Sequence, residues 1–211
     1  HFCSPLFAVA SLAYEIRGEA AAADEILRIL TTVHEHAEPR YRDTGPLTRW
    51  AEFVAPLMAR RGDVAAARDL LAATAWRRGT RQGLLLQAEC EVAGRAAAWE
   101  EAPHLARHAR AYATDHGLEA LLGAADALEG RAAIAAGDNG SGIELLRTAG
   151  LRYAGLEANW RKLCTDLDLA DALIAAGRVA EGRRVAGAAL PDLERIGAAV
   201  EAARARGMIA T

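Results

Sequence analysis

Four times in this sequence a short stretch runs into a glycine and then a polar or charged residue. The sites are Ile16-Arg17-Gly18-Glu19, Arg60-Arg61-Gly62-Asp63, Ala135-Ala136-Gly137-Asp138 and Ala175-Ala176-Gly177-Arg178. Glycine tolerates the left-handed conformation that closes a helix, and an aspartate after it can accept hydrogen bonds from the free amides that open the next one. A fifth, degenerate instance falls at Ala97, ahead of Ala98-Trp99-Glu100-Glu101-Ala102, which makes the spacings 44, 35, 40 and 40 residues. A recurrence on that scale predicts helix-pair repeats.

Aligning the chain on the five turns exposes a second regularity. Seven residues before each turn stand Ser11, Ala55, Cys90, Gly130 and Ala170, and five residues after it stand Ala23, Ala67, Ala102, Gly142 and Gly182. Every member of both columns is small. Eight residues after the turn stand Ile26, Leu70, Leu105, Leu145 and Val185, all large and apolar. Small residues on both helices of a pair let two backbones approach closely, and the large residue one turn further on is placed to fill the space between pairs.

Composition agrees with an all-α chain. Alanine is about a quarter of the 211 residues and aromatics only 5 %, a balance that suits closely packed helices and leaves few strand formers. A net charge of -3 gives no global excess of positive charge for nucleic acid or an anionic membrane. No run approaches the roughly 18 to 20 apolar residues of a membrane span. Cys3, Cys90 and Cys164 are odd in number and widely spaced, which fits neither a disulfide framework nor a zinc cluster and predicts a reducing, cytoplasmic setting. The chain starts at His1 and enters apolar sequence at once, as expected of a piece of something longer.

The expected architecture is an α-solenoid of about five antiparallel helix pairs in one domain. The pairs span residues 5–36, 47–77, 81–115, 118–155 and 158–196, with a terminal helix within 198–211. The one long connection, Ala37 to Pro46, contains Pro39, Gly45 and Pro46 and cannot be helical throughout. Pro56, Pro103 and Pro191 fall within expected helices, where each should kink or delay its helix.

At these residues the chain resembles the tetratricopeptide-repeat superfamily. The likeness is carried by Tyr14 to Gly18 with Ala23 and Leu27, by Trp50 through Gly62 with Ala67 and Leu71, and by Leu169-Ala170 through Gly177. It departs from the family pattern in repeat spacing, in the missing glycine at Ala97 and in the near absence of a terminal repeat proline. Those departures resemble the longer repeats in sensor regions of large bacterial transcriptional regulators, where a nucleotide-binding switch domain precedes the array and a LuxR-type DNA-binding domain can follow. The resemblance implies a right-handed superhelix whose first helices line a concave face that holds a peptide, a protein or a small effector. On that face the polar candidates are Glu15, Arg49, Glu52, Arg60, Gln87, Glu91, Arg95, Arg131 and Asp171. The lysine and asparagine arrangement by which some members clamp a terminal carboxylate is absent.

Chemistry-bearing patterns are sparse. Glu100, His104 and His108 recur every four residues and would form one stripe on the helix expected over 99–115, a spacing that could hold a metal, but the preferred reading is a solvated face. His34 and His36, two apart, point in different directions on a helix and suit its C-terminus. Asp166, Asp168 and Asp171 crowd one turn without a calcium loop around them and are expected to be solvated or paired with arginine. Cys90 lies in a small-residue column and is read as core. Residues Gly137 to Gly142 lack the lysine of a phosphate loop and read as a turn. Trp50, Trp76, Trp99 and Trp160 are expected as wedges between helices, and Arg77, Arg78 and Arg81 as cations at a helix end. The expected function is a non-enzymatic recognition scaffold, the sensor or interaction region of a larger regulator, without metal or cofactor and without direct nucleic-acid contact. A self-standing adaptor joining two proteins, and less so an enzyme with a site between helix pairs, are the alternatives; association with a second copy stays open.

Overall fold

A computed structural model describes residues 4–35, 50–74 and 78–210. All regular structure among them is helical, and no helix is long and apolar enough to cross a membrane. The chain divides into two compact units, His1–Ala96 and Ala97–Thr211, and the division falls at the degenerate Ala97 turn. Arg49, Cys3, His36, Trp76, Arg77 and the connection 37–46 lie outside the described residues.

The first unit contains α1 (Ser4–Ile16), α2 (Ala20–Glu35), α3 (Ala51–Arg60), α4 (Val64–Ala73) and α5 (Arg78–Arg95). Helix α1 packs on α2, and α3 packs on both α4 and α5. Its core is mostly methyl groups. Ala51, Ala55 and Ala59 of α3 meet Ala67 and Leu71 of α4 and Leu85, Ala88 and Val92 of α5. Pro56 is buried inside α3, and the helix continues to Arg60.

The second unit contains α6 (Ala102–His116), α7 (Glu119–Ala135), α8 (Asn139–Gly155), α9 (Asn159–Ala175), α10 (Val179–Ile196) and α11 (Ala199–Ala210). Each helix packs on the next in sequence, and α9 also touches both α7 and α11. Ile143, Leu146, Ala149 and Tyr153 of α8 form the centre of its core with Leu169, Ala172 and Leu173 of α9.

The turns expected from the glycines are present, and they close in one way. Gly18, Gly62, Gly137 and Gly177 take φ of 78°, 93°, 88° and 79°. The next amide in each case reaches back to a carbonyl five residues earlier: Glu19 to Tyr14, Asp63 to Met58, Asp138 to Ala133 and Arg178 to Leu173, at 2.8 to 3.0 Å. This is the bond that satisfies the orphan carbonyls of a helix end. Ala97 occupies the same left-handed region without being glycine, at φ 51°. Asp63 and Asp138 then cap the next helices, accepting from the amides of Ala66 at 3.3 Å and Ser141 at 3.0 Å. Arg178, in the corresponding place, makes no such cap.

All ten residues of the two small columns are buried. At the glycines the approach is close: a Cβ built on Gly142 would stand 2.8 Å from the Gly130 carbonyl oxygen and 2.4 Å from Ile134 Cγ1. Gly182 repeats this against Ala170 and Ile174. The large residues of the third column are half-buried, with Leu70 and Val185 packed against the two cores.

Some expectations need correcting. Pro103 is not interior: it lies in the first turn of α6, which begins at Ala102, later than the expected residue 99, and there the amide hydrogen that proline lacks would have no partner within the helix. Residues 139–142 belong to α8, so only the start of the glycine-rich stretch is a turn. Helix α4 ends at Ala73, four residues short of the expected boundary. Thr74 closes α4 with its hydroxyl donating to the Leu71 carbonyl at 2.7 Å.

Candidate functional site

The described candidate residues sit on α1, α3, α5, α7 and α9, and most are already engaged. Glu15 of α1 accepts from Arg61 at 2.7 Å, and the same guanidinium reaches Asp24 of α2 at 2.6 Å. Arg61 thereby ties the second turn to both helices of the first pair. Glu52 is buried in the first turn of α3 and paired with Arg81 of α5, whose guanidinium also lies 5.2 Å from the centre of the Trp50 ring. Arg60 and Glu91 are half-buried and Gln87 is buried; none of the three is without a partner. Arg95 is exposed at the end of α5.

In the second unit, Arg131 and Asp171 belong to a ladder of charge that sequence reasoning did not assemble. Arg131 on α7 donates to Asp168 on α9 at 2.7 Å. Asp168 also accepts from Arg204 on α11 at 2.8 Å, and Arg204 binds Asp171 at 2.5 Å. Burial by itself pushes the Asp168 carboxyl up, but the two guanidinium groups hold it below the usual carboxylate range. Asp166 is satisfied within α9 by Lys162 at 2.5 Å. The three aspartates thus have cationic partners, in line with the arginine-paired reading.

A second network lies on the other side of α7. Asp126, buried, accepts from Arg110 of α6 at 2.7 Å and from Arg152 of α8 at 2.9 Å. Arg110 continues to Glu129 at 2.7 Å and Arg152 to Glu119 at 2.5 Å. Helices α8 and α10 are joined by Arg147 and Glu181 at 2.5 Å. Several partners are 33 to 37 residues apart, close to one repeat length: Arg152 and Glu119, Arg147 and Glu181, Arg131 and Asp168. Opposite charges recurring at one repeat length were the available signal.

The remaining chemistry-bearing residues fall apart as a site. Glu100 lies in a turn ahead of α6, so it shares no helix stripe with His104 and His108, which are exposed on α6. Cys90 is buried beside Glu89 and Glu91, and burial pushes its thiol up to about 12, the wrong direction for a nucleophile. The second unit also has a concave feature. An open cleft of about 410 Å³ lies between the start of α6 and the end of α7, with Trp99, Glu100, Pro103 and Glu129 around a floor of α7 alanines.

Compared with known proteins, the chain matches no family model, no curated protein and no solved structure. What its fold defines is an all-helical protein with repeat-like helix pairs.

Proposed function

We propose that this chain is a non-enzymatic recognition scaffold of the tetratricopeptide-like kind, an α-solenoid serving as the sensor or interaction region of a larger bacterial transcriptional regulator. The observation that carries the reading is the recurring pair. The same glycine-centred closure and small contact residues return within each of the two units, which supports a face built from equivalent positions on first helices. The polar candidates for contact are Arg49, Arg60, Arg95 and Arg131, with Glu15, Glu52, Gln87, Glu91 and Asp171; of these Arg95 is exposed, whereas Glu52 and Gln87 are buried and Arg131 and Asp171 would have to exchange present partners. The locked charges favour recognition over chemistry. Proton transfer near neutral pH needs a group poised to titrate there, whereas Asp168 is held down and Cys90 held up. A peptide, a protein or a small effector in the groove would act by changing the contacts between neighbouring pairs.

Thermal-shift screening of peptides and small effectors, followed by titration against charge-reversed Arg95 and Arg131, tests this. Binding that weakens with added salt, and falls by about 1.5 to 3 kcal/mol on reversing one arginine, is expected. Unchanged affinity in both variants, with loss on altering residues 40–45, would move the site to that connection. Flanking nucleotide-binding or DNA-binding sequence in the full reading frame supports the regulator, and a short complete frame the adaptor.

A further inference from the structure

We propose that the cleft between the start of α6 and the end of α7 binds an aliphatic diamine: two ammonium groups joined by a methylene chain. The inference rests on the scaffold reading and names a ligand for it. Helices α6 and α7 run antiparallel through the turn at Gly117, so Arg110, late in α6, meets Asp126 and Glu129, while Pro103 at its start faces the alanines at the end of α7. Glu100, just ahead of α6, is therefore level with Ala136, and Glu129 stands at the other end of the cleft. Seven residues of α7 separate Glu129 from Ala136, about 10 Å of helix rise.

Between the two carboxylates the lining is apolar: Trp99, Pro103 and the alanines of α7, with no cationic side chain among the lining residues. Arg110 reaches Glu129 from outside the lining and occupies Oε2. Across α6 and α7 the carboxylates of Glu119, Asp126 and Glu129 share two guanidinium groups, Arg110 and Arg152, and Glu100 adds a further negative charge. An apolar channel with a carboxylate at either end complements a cation–methylene–cation chain. It disfavours an anion outright and leaves one end unmatched for a monocation. The Trp99 indole adds the attraction of its ring for an ammonium. The cleft volume falls in the range that holds one small molecule.

Calorimetric titration of the whole chain with hexamethylenediamine tests the proposal, since that molecule in extended form is close in length to the roughly 10 Å of α7 that separates Glu129 from Ala136. The diamine should bind about tenfold more tightly than hexylamine, and hexylamine more tightly than hexanediol. Glu100→Gln, in an exposed turn, should leave the melting temperature unchanged and reduce the diamine to the affinity of hexylamine. Ala133→Leu should fill the cleft and remove binding of both. Diamine affinity unaffected by Glu100→Gln would overturn the proposal, as would a lysine-containing peptide binding at the cleft where free diamines do not. No diamine binding, alongside peptides or effectors that respond to Arg95 and Arg131, would overturn this inference alone; no ligand of any kind would overturn the scaffold reading with it.

Discussion

Glycine has opposite meanings at different places in this chain, and alanine substitution separates them. At Gly142 an added Cβ meets the Gly130 carbonyl and Ile134, so overpacking of about 1 to 3 kcal/mol competes with a helix-propensity gain of about 1. At Gly187, inside α10, nothing lies within 4 Å of the added atom, and only the propensity gain remains. Gly142→Ala should therefore lower stability by up to about 2 kcal/mol and Gly187→Ala raise it by about 0.5 to 1 kcal/mol, read from urea unfolding midpoints. Equal effects at the two positions would contradict the close approach of α7 and α8. The reverse experiment belongs at Ala97, where a residue with a side chain holds the left-handed conformation. Strain of about 1 to 2 kcal/mol there exceeds the entropic cost of glycine, about 0.5 to 1 kcal/mol, so Ala97→Gly should raise stability by up to about 1.5 kcal/mol, seen as a higher urea midpoint.

Between helices, the ladder through Arg131, Asp168, Arg204 and Asp171 makes stability depend on acid. The folded Asp168 carboxyl lies below its usual value, so its contribution is complete above the unfolded pKa, near about 3.9, and is lost as pH falls through the lower folded value. Asp168→Asn should cost about 2 kcal/mol at neutral pH, and the gap between variant and parent should narrow as the solution is acidified below about pH 4. A constant gap from neutral to acid would mean that Asp168 carries no charge-dependent stability. This ladder also marks where sequence reading stopped. Turn positions and contact columns were legible because they depend on backbone conformation and side-chain size, properties of single residues at fixed offsets. Even Ala97 could be placed by spacing alone. Ion pairs depend on which charged side chains two helices turn toward each other, so Arg131 read as open to a ligand when it in fact pairs with Asp168. The candidate cleft was less legible still: Trp99 and Glu100 were noted, but only the late start of α6 at Ala102 leaves them in a turn beside the end of α7.

Over the molecule as a whole, contacts are local. In residues 97–211 the principal packing joins helices that are next to each other, or next but one, in sequence. Such a chain needs no distant segment to complete its core, and low contact order favours rapid folding. A polypeptide of residues 97–211 should accordingly give a helical circular dichroism spectrum and one cooperative thermal transition. A non-cooperative melt would show that its core depends on residues before Ala97. Moderate salt should lower that transition by a small amount, because exposed ion pairs are screened while methyl packing is not.

Asp168 is shared between two arginines, and that sharing bears on how the chain can evolve. An isolated ion pair can exchange its ends by two mutations, with opposite charge restored by the second. Here, exchanging Arg131 with Asp168 would set an arginine at 168 against Arg204, and exchanging Asp168 with Arg204 would leave Arg131 facing another arginine. Polarity can be inverted only if α7, α9 and α11 change together, through intermediates that each carry a like-charge contact. Positions 131, 168 and 204 should therefore drift as a block or not at all, while the columns of small residues, apart from the closely approached Gly130, Gly142 and Gly182, can change one position at a time.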